Sequence, residues 1–150
     1  MNREPLPFQL FTEIAIIDQL AGNAFERALP ANVTRAQFTV LHHFIRRGLA
    51  EQSPAQLADA IQVTRGTMTS TLARMERSGL VSVRPDPADG RAKLVALTQT
   101  GREMRDACVA AVAPLLPLVE HSLDEAELQT VLQLLQRLRQ KLDSARDATI

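Results

Sequence analysis

The chain has 150 residues, with 17 Lys and Arg against 17 Asp and Glu, 45% hydrophobic residues, one Cys, and five aromatic rings that are all Phe. At this length roughly 70% of the unfolded surface can be buried, so a core needs neither disulfide nor structural metal, and a lone thiol excludes an internal disulfide. Zero net charge excludes a protein that coats nucleic acid indiscriminately, although a balanced total can hide an unbalanced distribution.

One globular domain over residues 1–150 is expected. The start, MNREPLPFQLFTEIA, has acids where a leader would carry an uninterrupted apolar run, and CVAAVAPLLPLV is short and broken by Pro114 and Pro117. No membrane segment is therefore expected, and the cysteine usage suits a reducing cytoplasm. The charge is unevenly spread: residues 64–93 hold six basic and three acidic residues, and the remainder is neutral to acidic. An anionic partner would dock there.

From Phe8 to Leu29, apolar residues at three- and four-residue steps (Phe11, Ile14, Ile17, Leu20, Ala21, Phe25) predict one long amphipathic helix before Pro30. Thr34 with Gln37 makes a capping box, inside a staple of Val33 and Phe38, and opens a second helix that Gly48 stops near Arg47. Ser53, Pro54 and Gln56 start a short third helix with Leu57, Ala58 and Ile61 inward. After a tight turn Thr64 caps a fourth, whose inner stripe is Met68, Leu72 and Met75 and whose end is Gly79.

The period then changes to two in VSVR and KLVALT, separated by PDPADGRA, which predicts a β-hairpin with a long tip. Thr98 caps a fifth helix carrying Met104, Cys108, Ala111 and Val112, ended or kinked by Pro114 and Pro117. Asp124 and Glu127, bracketed by Leu123 and Leu128, open a last helix. Its stripe of Leu128, Val131, Leu132, Leu135, Leu138 and Leu142 is the seam of a helix that packs on another helix.

Short helix, tight turn, helix and basic-tipped hairpin form the winged helix-turn-helix pattern: a mainly α fold of six helices with a two-stranded wing. A helix enters the DNA major groove only if a neighbour props it outward and its outer face is small and polar. The face opposite Met68 and Leu72 presents Gly66, Ser70, Ala73 and Arg77, flanked by Thr67, Thr69 and Arg74. Thr67, Thr69 and Ser70 have groups for bases or phosphates, and Arg65 at the helix start can reach guanine or a phosphate.

The stretch SPAQLADAIQVTRGTMTSTLARMERSGLVSVRPDPADGRAKLVALTQTG resembles the core of the MarR family of bacterial transcriptional regulators. DPADGRAKLVALTQTG is similar to the family's wing signature, in which an arginine at the tip enters the minor groove beside an acidic residue that orients it. Arg91 and Asp89 match those two positions. Gly90 replaces a second basic residue found in many members, and Ser70 stands where many carry a larger basic or polar group.

The resemblance implies a sequence-specific regulator of double-stranded DNA, a ligand-responsive repressor whose homodimer sets two recognition helices on a pseudopalindromic operator. Residues 34–98 would be the DNA-binding lobe, and 8–29 with 99–146 the dimerisation helices. The apolar stripes of the terminal helices point the same way, being too long for one small winged domain to cover. A small aromatic or phenolic effector is implied between helices two and five, with Phe38 and His42 as candidate lining.

Bland readings compete for several residues. His42 and His43 are adjacent on a helix and point about 100° apart, so they cannot chelate one metal, and none is expected. Cys108 on an inner stripe reads as a buried, inert thiol. Scattered His and one Cys provide no nucleophile, base and orienting group, so neither catalysis nor a cofactor is expected. Two rivals stay open: a winged-helix module for protein association, and a DNA binder without an effector.

Overall fold

The computed structural model describes residues 4–147, so the first three residues of the stretch read above for a leader lie outside it. The chain divides into two compact units, one ending at Ala113 and one starting at Pro114. In the first, α1 (Leu6–Ala28) begins two residues before the apolar period does. Pro7 in its first turn explains the extension, since a residue without an N–H loses nothing where the helix has no acceptor to offer.

The predicted capping box of this unit is formed, and a second appears at the predicted start of the third helix. Thr34 Oγ1 accepts from the Gln37 N–H and Gln37 Oε1 from the Thr34 N–H, opening α2 (Arg35–Arg47), which ends on Gly48 at φ +61°. Ser53 and Gln56 repeat the exchange at α3 (Pro54–Ile61). The turn to α4 (Arg65–Arg77) then needs Gln62 in the left-handed region at φ 63°, and Thr64 caps α4 by accepting from the Thr67 N–H at 3.1 Å.

Strands β1 (Val81–Pro85) and β2 (Lys93–Leu97) pair antiparallel with Val83 opposite Val95. A third chain segment joins them, because Gln52 exchanges both backbone hydrogen bonds with Val95, at 3.0 and 2.8 Å. Thr98 opens α5 (Gln99–Val112) by accepting from the Gly101 N–H, and its hydroxyl donates to the Gly79 carbonyl. The core is the meeting of α2 (Val40, Leu41, Phe44), α3 (Leu57, Ala58) and α4 (Met68, Leu72, Met75) with Leu80, Val81 and Val95. It sets α4 on its apolar stripe and turns the other face out.

In the second unit a five-residue helix, α6 (Leu116–Glu120), precedes α7 (Glu125–Asp147). Asp124 and Glu127 exchange backbone-to-carboxylate bonds of 2.9 and 2.8 Å, as the capping box requires. Among the described residues, six helices of eight or more residues and one two-stranded sheet make this the winged-helix architecture that the sequence pattern predicts. No single helix is long and apolar enough to cross a membrane among the described residues.

Candidate nucleic-acid interface

The outer face of α4 is built by subtraction. Met68, Leu72 and Met75 are buried, so Arg65, Gly66, Thr67, Thr69, Ser70, Ala73, Arg74 and Arg77 are left exposed. Their hydroxyls differ in what they have free. Thr69 Oγ1 donates to the Arg65 carbonyl at 2.8 Å and can only accept from a partner; Thr67 Oγ1 already accepts from Thr64 Oγ1 at 2.9 Å and keeps its own proton. The exposed Ser70 hydroxyl has no hydrogen bond among the described residues and offers both donor and acceptor. The small face leaves room: beyond its chain neighbours and the backbone of its own helix, no described atom lies within 4 Å of where a Cβ on Gly66 would stand.

The wing tip folds on its own turn residues. Asp86 Oδ1 accepts from the Ala88 N–H at 2.9 Å, and the Asp86 N–H donates to the Ala92 carbonyl at 3.0 Å. Asp89 Oδ1 accepts from the backbone N–H of Arg91 at 3.1 Å, so it fixes where Arg91 leaves the turn and does not touch the guanidinium. None of Arg65, Arg74, Arg77 and Arg91 is ion-paired among the described residues. A cleft of about 540 Å³ runs between α3, α4 and the wing, with Leu72 and Val95 in its floor and Arg65, Thr69, Arg91 and Lys93 along its walls. Of the residues expected to meet DNA, Arg65 and Thr69 on α4 and Arg91 on the wing face this common space, whereas Thr67, Ser70 and Arg74 do not line it.

Arg84 behaves differently from its basic neighbours. Its guanidinium forks onto Glu51, with Nε to Oε1 at 2.8 Å and Nη2 to Oε2 at 2.7 Å, and this bonding raises its already high pKa. Spacing cannot find such a pair, whose members are 33 residues apart.

Phe38 and His42 lie together on α2, ring centroids 5.5 Å apart, away from the cleft. Arg105 of α5, which the sequence reading missed, brings Nη2 to 3.4 Å from His42 Nδ1 and Nη1 to 3.0 Å from Asp106. Its Nε is buried without a partner. Burial first, then the charges of Arg105 and Arg46, lower the His42 pKa, so the imidazole is held neutral with Nδ1 accepting. His43 is buried, with Nε2 at 3.0 Å from Gln52 Oε1. Cys108 is fully buried, and desolvation raises its thiol pKa. No cluster of three metal-ligating side chains occurs among the described residues.

Comparison with known proteins agrees with this geometry. Residues 31–92 match the sequence model of the MarR family. The chain is similar to a cysteine-to-serine mutant of Escherichia coli MarR solved in complex with operator DNA, at 28% identity and TM-score 0.78, over 90% of this chain and 99% of that one. It is similar to Bordetella bronchiseptica BpsR, whose DNA binding is described as regulated by 6-hydroxynicotinic acid, at 26% identity and TM-score 0.76, over 87% and 98% of the two chains. A probable transcriptional regulator of Pseudomonas aeruginosa gives 25% identity and TM-score 0.76, over 89% and 99%.

Proposed function

We propose that this chain is a MarR-family regulator: a homodimeric, ligand-responsive repressor that binds a pseudopalindromic operator in double-stranded DNA, a reading supported by the family match over residues 31–92 and by the likeness to solved members. The observation that carries the reading is the pair of outward surfaces on one winged unit: the small, hydroxyl-bearing face of α4, and Arg91 held unpaired at the wing tip. Arg65, Thr67, Thr69, Ser70 and Arg74 contact the major groove or its phosphates, and Arg91, aimed by Asp89, enters the minor groove. Residues 34–98 act as the DNA-binding lobe.

Homodimerisation through residues 8–29 and 99–146 is supported by apolar residues left exposed on each terminal helix, among them Phe8, Phe11, Ile17 and Leu20 on α1 and Leu132, Leu134, Leu135 and Leu142 on α7. The effector reading is supported by the small acid that regulates BpsR and by the cluster of Phe38, His42 and Arg105. That cluster offers an aromatic face and an unpartnered guanidinium N–H, the complement of a planar anion. Repression follows if the dimer occupies a promoter and the effector shifts it to a state that binds DNA less well. The action is binding, with no reaction step and a cytoplasmic setting.

The test is titration of an operator, selected from random DNA, and of a scrambled duplex at one salt concentration. Arg91→Ala should weaken both, whereas Ser70→Ala should cost about 1–3 kcal/mol on the operator and little on the scrambled duplex. Wild-type affinity of Arg91→Ala for both duplexes, or no retention of the protein by DNA at low salt, would overturn the reading in favour of a protein-association module.

A further inference from the structure

We propose that the Glu51–Arg84 ion pair is a positioning device that fixes the pitch of the wing for DNA, and that Arg84, although basic and in the wing, is not itself a phosphate contact. The inference rests on the DNA-binding reading above and concerns residues that reading does not use.

The register shows what the pair spans. Gln52 stands opposite Val95, and Val95 opposite Val83, so the α2–α3 connector, β2 and β1 are three neighbouring strands in that order. Side chains alternate between faces along a strand. Val83 and Val95 face the cleft and α4, which puts Glu51 and Arg84, each one residue along, on the opposite face. The two side chains therefore reach over β2 and strap the connector to β1 across the outside of the sheet. The contact is a fork with two short bonds, the geometry in which an arginine fixes direction as well as distance.

The position of the strap matters for the tip. Pro85 opposite Lys93 is the last pair of the ladder, so Arg84 is the penultimate rung before the turn that carries Arg91. A two-stranded hairpin is marginal by itself and twists readily. Here its inner part is held by burial of Val81 and Val95, and its outer part by the connector. That connector is anchored in turn, because the Gln52 side chain takes the buried His43 of α2. Without the strap the tip samples more orientations, and affinity falls by the fraction of time it points correctly. An exposed pair gives a modest bias, about three- to tenfold in Kd.

The charges give a test in which the two readings have opposite signs. Glu51→Gln removes a negative charge from the DNA-binding unit, so charge alone predicts tighter binding; the strap predicts about three- to tenfold weaker binding. Arg84→Gln should weaken binding equally with the slope of log affinity against log salt unchanged, whereas loss of a phosphate contact would make that slope shallower by about one per subunit. The double variant should be no worse than either single one, and the exchanged pair, Glu51→Arg with Arg84→Glu, should recover most of the affinity. Amide hydrogen exchange at Gln52 and Val95, measured without DNA, should quicken in Glu51→Gln. Tighter binding by Glu51→Gln, a shallower slope for Arg84→Gln, or no recovery in the exchanged pair overturns the proposal while the DNA reading stands. Quickened exchange in Glu51→Gln, with a wild-type chain that binds no DNA, would show a strap and overturn its role in recognition.

Discussion

Gly66→Ala should make the protein more stable and a poorer DNA binder. Gly66 is the second residue of α4, exposed, and its missing Cβ has no neighbour within 4 Å, so no contact inside the protein calls for glycine there. Glycine in a helix costs about 0.5–1 kcal/mol relative to alanine, and at this chain length each kcal/mol moves Tm by about 2–4 °C. The variant should therefore melt about 1–4 °C higher. On DNA the sign reverses, because the added methyl stands on the face shared with Ser70, between the first backbone N–H groups of α4 and the approaching strand. Holding off one charge-assisted bond from those amides or from Arg65 costs about 1.5–3 kcal/mol, roughly ten- to a hundredfold in Kd. Thermal melting and fluorescence anisotropy on one labelled operator read both numbers from the same preparation. An alanine variant that is more stable and binds as wild type does would refute the close approach of this face to DNA.

Two further outcomes are expected. Gly101→Ala should lower Tm by about 2–12 °C, since its Cβ would stand 2.0 Å from the Leu80 carbonyl oxygen, where ordinary contact is about 3.3–3.6 Å, and overpacking against backbone costs about 1–3 kcal/mol. Stability should also fall with pH from about neutrality downward: the His42 pKa is lowered in the folded state from its ordinary 6.5, so the unfolded chain binds the proton first and acid favours it, and melts of His42→Gln between pH 7.5 and 5 should lose that part of the slope.

What sequence could and could not deliver follows from range. Thr34 with Gln37, Ser53 with Gln56 and Asp124 with Glu127 are three-residue exchanges between a side chain and nearby amides, so their helix starts were readable. The same local reasoning failed at α6, because Pro114 and Pro117 read as breakers, whereas Pro117 sits in a helix's first turn, where no N–H is needed. The outer face of α4 followed from its inner stripe. Links that cross the fold did not: Arg105 meets His42 from 63 residues away, and Gln52 was given no role although it completes the wing sheet. Asp89 was read as orienting Arg91, and the bond its carboxylate makes, to the Arg91 backbone N–H, is one that the reading did not specify.

Charge counting shows what such links change, and it fixes a number. Residues 64–93 carry six basic residues, so twelve would face DNA in a dimer, and at about 0.9 counterion per neutralised phosphate log affinity would fall with log salt at a slope of about −11. The structure removes Arg84, whose guanidinium is committed to Glu51. Of the others, Arg77 lies at the far end of α4, about 18 Å along the axis from Arg65, and Lys93 lines the cleft wall in the last rung behind the turn that carries Arg91; neither is among the proposed DNA contacts. Arg65, Arg74 and Arg91 remain, six contacts per dimer, and the expected slope is about −5. Arg91→Ala should bring it to about −3.5, since each protomer then loses one cation held in the minor groove between the phosphate strands, and Arg84→Gln should leave it where it was. A slope near −11, or equal changes for the two variants, would mean that every basic residue of the segment reaches DNA and that the ion pair with Glu51 opens on binding.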